Sequence, residues 1–199
     1  MGDIWFTSDT HFMDMNCLIR ENRPFKSVYA FDRHVLKLWD SQISEDDTLY
    51  HLGDFTGHRL GNKSDKAWRE GLAYVQNIKC DVVLIIGNNE QAIIDDFYSG
   101  NIEPFRTYCL NLGFKEVCRN KILDIDDNTC YYLTHKPSDH KKGMVNLFGH
   151  LHRSTGFYKP FGLNLSCDLN HFYLYDMMEV QRLLEQKGQY WEKDRDVLI

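Results

Sequence analysis

The chain of 199 residues has no Cys-x-x-Cys pair, four prolines, and no apolar run approaching the length needed to span a bilayer. Its six cysteines, Cys17, Cys80, Cys109, Cys118, Cys130 and Cys167, are scattered. That distribution excludes a zinc ribbon and argues against a disulfide framework, leaving reduced and mostly buried thiols. No basic segment followed by an apolar core opens the chain, so it reads as a soluble, cytoplasmic protein without a membrane partner. Positive charge is also short: 23 Lys and Arg against 29 Asp and Glu give a formal net charge of −6. An acidic chain without an aromatic-interleaved basic stripe is poorly built to capture nucleic acid backbones, so nucleic acid is not the favoured partner. Repeats, low-complexity tracts and linkers are absent too, and the length suits one core. A single domain over residues 1–199 is expected.

What the sequence does contain is a series of short apolar runs that end in ligand-type residues. The first is Ile4-Trp5-Phe6-Thr7-Ser8-Asp9-Thr10-His11. If the chain stays extended, alternation puts Asp9 and His11 on one side, within reach of one cation. Thr48-Leu49-Tyr50-His51-Leu52 runs into Gly53-Asp54, with His51 inside the strand and read as a hydrogen-bonded core residue. Asp81 to Ile86 has the unbroken apolar pattern of a central parallel strand and ends in Gly87-Asn88-Asn89-Glu90. Lys121–Ile125 and Cys130–Thr134 form an expected hairpin across Asp126-Asp127-Asn128, its second arm ending in His135-Lys136-Pro137. Met144 to Phe148 enters Gly149-His150-Leu151-His152, and Gly162–Cys167 and Phe172–Tyr175 are the last expected strands.

The connecting segments carry helical spacing. Phe31, Val35, Leu38 and Trp39 predict a helix over Tyr29–Gln42, with His34 solvated on its polar face. Trp68, Leu72 and Val75 mark another, Ile93, Ile94 and Phe97 a third, and Asp176 with Glu179 starts a last one. Residues 101–117 read only as helix and connection, and Gln189–Ile199 as a charged, solvated tail.

Together the strand ends offer Asp9, His11, Asp54, Asn88, His135, His150 and His152: two carboxylates, four imidazoles and one amide, with no thiolate. Such donors suit Mn²⁺, Fe, Zn²⁺ or Ni²⁺. Seven exceed the needs of one tetrahedral ion and suit two ions sharing a bridging carboxylate.

The order Asp-x-His, Gly-Asp, Gly-Asn-x-Glu, His, Gly-His-x-His resembles the calcineurin-like metallophosphoesterase superfamily. Thr7 to Phe12 together with Asn22-Arg23-Pro24-Phe25 looks like a small bacterial and phage branch of it. The resemblance implies an α/β fold of two facing mixed β-sheets flanked by helices, a four-layer αββα sandwich with its site at the strand ends. It implies two divalent transition metal ions, Mn²⁺ first, with Fe, Zn or Ni as alternatives. Asp9, His11 and His152 would hold one ion, Asn88, His135 and His150 the other, and Asp54 would bridge them. The implied function is hydrolysis by metal-activated water, of phosphodiesters or small nucleotide-like phosphoesters ahead of monoesters. A catalytically weak metal-bound scaffold for a partner protein, or a nuclease, are the competing readings.

At one position the chain departs from the family, which usually carries a histidine after Gly-Asn to protonate the leaving group. Here that residue is Asn89. His58, His140 and Glu90 are candidate substitutes, with plain loop histidines and a helix-start glutamate as the alternative reading. Lys136, Arg23 and Arg59 are candidate phosphate clamps, as is Lys141.

Overall fold

A computed structural model of the protein describes residues 2–126, 128–154, 156–158 and 162–195. Strands β1 (Ile4–Thr7), β2 (Thr48–His51), β3 (Asp81–Ile85) and β4 (Glu116–Cys118) run parallel, and β10 (Tyr175–Asp176) joins β1 antiparallel. The order in this first sheet is β10-β1-β2-β3-β4. The second sheet takes β5 (Lys121–Asp124), β6 (Cys130–Leu133), β7 (Val145–Phe148), β8 (Phe157–Tyr158) and β9 (Gly162–Asn164) in the order β5-β6-β7-β9-β8. Its three central strands are parallel and its edges antiparallel.

Alternation along the first sheet divides its apolar residues between two cores. Leu49, Val82, Leu84 and Val117 face a helical layer of α2 (Val28–Gln42), α3 (Lys66–Ala73), α4 (Asn88–Tyr98) and α5 (Ile102–Leu112). These helices contribute Phe31, Val35, Trp39, Trp68, Leu72, Ile93, Ile94 and Phe105. On the opposite face Phe6, Tyr50, Leu52, Val83 and Ile85 pack against Leu123, Tyr131, Leu133, Leu147 and Leu163 of the second sheet. Val180 of α6 (Met177–Arg195) joins that inter-sheet core. Burial on both faces is why β3 reads as a continuous apolar run. The architecture is the expected α/β arrangement of facing mixed sheets flanked by helices.

Local chemistry sets the helix starts. Asp14 accepts from the backbone N–H groups of Asn16 and Cys17 and opens α1 (Met15–Arg20). Ser27 caps α2 through Ala30 N, and Asp176 accepts from Glu179 N at the start of α6. All six cysteines are free, and only Cys118 and Cys130 are not buried. Among the described residues no helix is long and apolar enough to cross a membrane.

Several boundaries differ from expectation. Glu116–Cys118 is a strand that three residues with one buried side chain are too short to announce. The strand expected over Gly162–Cys167 stops at Asn164, and Cys167–Leu169 form a 3-10 turn. Phe172 has a φ of 70°, so only Tyr175–Asp176 pair as the last strand. The expected tail from Gln189 continues α6 to Arg195, and residues 196–199, like Asp127 of the hairpin turn, lie outside the described residues.

Candidate active site

The parallel strands β1, β2, β3, β6 and β7 all end at one edge, where an open α/β sheet exposes its ligand sites. Past Thr7 the chain is not extended, contrary to the alternation argument: Asp9 and His11 are left-handed, with φ of 58° and 51°. They keep their shared setting because each second residue takes that conformation, held by Asp9 N–H to Gly53 O (3.0 Å) and His11 N–H to Asp54 O (3.0 Å). Asp54, His150 and His152 are left-handed as well, at 53°, 71° and 43°. Non-glycine residues there cost on the order of 1 kcal/mol each, and such strain gathers at functional sites. Two glycines make the approach possible. A Cβ on Gly53, whose φ is +98°, would lie 2.6 Å from His135 Nδ1, and one on Gly149 would lie 2.6 Å from Asp9 Oδ2.

The side chains converge on Asp54. Its Oδ2 is 3.4 Å from His11 Nε2 and its Oδ1 is 3.6 Å from His135 Nε2. Beside His11 stacks His152, with ring centroids 5.2 Å apart, and beside His135 lies His150, at 5.1 Å. Asn88 Oδ1 is 2.9 Å from His135 Nε2 and 2.8 Å from His150 Nδ1. Asp9 accepts from Ser8 Oγ at 2.6 Å and from the His150 backbone N–H at 2.9 Å. Donor atoms of Asp9, Asp54 and His135 fall within 4.8 Å of one another, and so do those of His11, His152 and Cys17. His11 Nε2 is buried with no hydrogen-bond partner. An orphaned buried imidazole nitrogen aimed at a carboxylate, within this set of nitrogen and oxygen donors and the Cys17 sulfur, fits a divalent cation.

Further groups orient these side chains. His11 Nδ1 is 3.2 Å from Asp14 Oδ2, and His152 Nδ1 is 2.7 Å from Asp168 Oδ2. On the other side His135 Nδ1 is 2.9 Å from the Leu52 carbonyl. Burial opposes protonation of His135 and His152. For His135 the carboxylates of Asp54 and Asp9 outweigh that, and for His152 the Asp168 hydrogen bond does, so both stand above the ordinary imidazole value. Burial and the neighbouring His135 hold His150 below it. Burial would raise Asp9, but His135, His152 and His11 together keep its carboxyl low.

A cavity of about 280 Å³ lies over these residues, lined by His11, Asp54, Asn88, His150 and His152 together with Asn89, His58, Arg59 and Arg20. Asn89 is pinned: its Nδ2 is 3.3 Å from His11 Nδ1 and its Oδ1 accepts the His58 N–H at 3.2 Å. The His58 side chain is 1% exposed, with Nε2 2.9 Å from Asp96 Oδ2. Lys136 is exposed and lines a neighbouring cavity. His140 lies after the short turn Pro137–Asp139, Nδ1 3.3 Å from Pro137 O, and lines neither cavity.

Two expectations are corrected. Arg23 is 4% exposed and cannot clamp a substrate phosphate. Its guanidinium donates to Asp168 at 2.8 and 2.9 Å and to the carbonyls of Asp9 and Thr10 at 2.7 Å, beneath the Phe31 ring. Glu90 is fully buried and cannot reach a leaving group. Its carboxylate accepts from the backbone N–H groups of Asp54, Phe55 and Gly87 at 2.8–2.9 Å, holding the turn that presents Asp54. Burial pushes its pKa up to about 7. His51 is the buried core residue expected, bonded to Thr10 Oγ1 at 2.9 Å and pushed down to about 3 by burial. Sequence reasoning missed Asp14, Asp168, Arg20 and Cys17. Only Asp14 carried a signal, as an aspartate opening a helix.

The model of the calcineurin-like phosphoesterase family matches residues 2–194. An uncharacterized protein of Methanocaldococcus jannaschii, MJ1445, is 34% identical over 91 residues, covering 46% of this chain and about half, 48%, of that protein. The gene 66 protein of Mycobacterium phage D29 is 26% identical over 168 residues, covering 76% and 79% of the two chains. The solved structure of AQ665, a protein of unknown function from Aquifex aeolicus, superposes with a TM-score of 0.66 at 22% identity. It covers 91% of this chain and 98% of its own, which shows the fold. From its second residue to within a few residues of its end, the chain belongs to the calcineurin-like phosphoesterase family.

Proposed function

We propose that the protein is a phosphoesterase with two divalent metal ions, Mn²⁺ ahead of Fe, Zn or Ni, acting on phosphodiesters with good leaving groups. The observation that carries this reading is Asp54, whose two carboxylate oxygens face two separate histidine pairs. Asp9, His11 and His152 would hold one ion, Asn88, His135 and His150 the other, and Asp54 both. Bound there, the ions would supply Lewis acidity and an activated water nucleophile.

The chain's own residues do the rest. Arg59 and Arg20 reach the cavity over the ligands and supply the positive charge that a phosphate needs, in place of Arg23. Asn89 offers an amide where its family carries an imidazole. An amide can donate a hydrogen bond to a phosphoryl oxygen but releases no proton near neutral pH. His58, enclosed and tied to Asp96, positions the loop that carries Arg59. General acid catalysis is worth about 10²–10⁴-fold, so alkyl monoesters should be poor substrates and aryl diesters good ones.

The test is elemental analysis of Mn²⁺-reconstituted protein, followed by assay of aryl diesters and alkyl monoesters with wild type and Asn89→His. Two ions per chain, fast aryl-diester turnover, and an Asn89→His gain larger on alkyl monoesters are the expected results. A stoichiometry that never exceeds one, or rapid alkyl-monoester cleavage unchanged by Asn89→His, would overturn the reading.

A further inference from the structure

A second cavity, of about 430 Å³, meets the first at Asn88, which lines both, and His135 is in its wall. A phosphodiester seated over the ligands would therefore send one of its two substituents into this space. Such a volume falls in the range of small-molecule sites. We propose that it seats the nucleoside of a nucleoside phosphodiester, an inference that rests on the phosphoesterase reading above.

The walls distinguish the occupant. Tyr132 of β6 is half-buried at one side, and Leu60 and Ala92 add apolar surface, so a flat ring has a platform. The rest of the wall is an ordered polar row. Arg119 Nη1 donates to Gln91 Oε1 at 2.5 Å, and Gln91 Nε2 donates to Asp95 Oδ1 at 2.8 Å. The N–H groups and lone pairs that this row has left over lie side by side and match the edge of a nucleobase, which a plain aryl or alkyl group cannot engage. Charge points the same way. Arg119 and Lys136 are offset by Asp95 and Asp139 in the lining, which suits a neutral base better than a second phosphate.

The experiment compares two diesters with the same leaving group on Mn²⁺-loaded protein: thymidine 5′-(p-nitrophenyl phosphate) and methyl p-nitrophenyl phosphate. Stacking on an aromatic side chain should raise kcat/KM for the thymidine ester roughly ten-fold or more. Tyr132→Ala should erase that preference while leaving the methyl ester unchanged, and Gln91→Ala should reduce it in the same selective way if the tyrosine variant fails to fold. Equal kcat/KM on both esters in wild type, or proportional loss of both in the variants, would overturn the cavity assignment while leaving the phosphoesterase reading intact. Should neither ester react, the phosphoesterase reading falls and calorimetric titration with thymidine 5′-monophosphate decides the cavity. Binding weakened by Tyr132→Ala upholds it, and no binding overturns it.

Discussion

The two histidine pairs on either side of Asp54 stand on different supports. His11 and His152 each place Nδ1 against a carboxylate, Asp14 at 3.2 Å and Asp168 at 2.7 Å. His135 places its Nδ1 against a backbone carbonyl, that of Leu52, at 2.9 Å. A carboxylate behind an imidazole raises its basicity and fixes its ring more strongly than a neutral carbonyl does. His135 itself stands above the ordinary imidazole value, drawn up by Asp54 and Asp9, but its partner His150 is held below it by burial and by His135. If the proposed centre forms, then, the half built on β1 should grip its ion and the half built on β3 and β6 should exchange it more readily.

The largest effect should come from the residue that belongs to both halves. Asp54→Asn removes a charge facing His11 and His135 together, so Mn²⁺ content should fall in both half-sites. Hydrolysis should drop about 10³-fold, as for loss of a central electrostatic group. His34→Ala, on the exposed face of α2, should change neither quantity. Normal metal content in Asp54→Asn would dissolve the comparison, because the two halves would share nothing.

A smaller and one-sided effect is expected at Asp168. Asp168→Asn weakens the support of His152 and leaves Arg23 without its buried carboxylate. Loss of an outer partner typically costs about 10–100-fold in metal affinity, so the tighter phase of a Mn²⁺ titration should weaken and the looser one should hold. Breaking one side of a buried ion pair should also lower stability by about 3–5 kcal/mol, read as a fall in Tm of the metal-free protein. Equal weakening of both phases would erase the distinction between the halves.

That asymmetry was invisible in the sequence, for a physical reason. The seven ligand-type residues were legible because each follows an apolar run, and parallel strands bring the ends of such runs to one edge. Their supports are tertiary. Asp168 meets Arg23 across 145 positions and Glu90 meets the Asp54 N–H across 36, distances that no local pattern encodes. Arg23 looked like a free cation beside a motif because its enclosure comes from Phe31 and Phe172, the latter far along the chain. Left-handed backbone at Asp9 and His11 also leaves no sequence mark when aspartate and histidine, which tolerate it better than most residues, carry it.

The smallest effect sharpens the comparison from within the better-supported half. Asp32 of α2 accepts the N–H of Met13, itself left-handed at φ 62°, at 3.2 Å, and so braces the loop that leaves His11. Unlike Asp14 and Asp168 it is not matched by a positive partner, and its Oδ1 has no hydrogen bond. Burial pushes its pKa from an ordinary 3.8 up to about 7, against the opposing pull of Met13 N–H, the Tyr74 hydroxyl and Arg23. The folded state therefore holds this proton more tightly than the unfolded chain. Its contribution to stability is complete below about pH 4 and is lost as pH rises through 7, where a charge becomes buried. Asp32→Asn keeps an acceptor for Met13 and removes that charge. In the metal-free protein the variant should gain on wild type by roughly 1–3 kcal/mol between pH 5 and pH 8, a Tm shift of a few degrees. A difference in Tm that stays flat across that range would mean that Asp32 folds as a carboxylate, like its two neighbours. The first half-site would then rest on three charges rather than two, which would widen its contrast with the second.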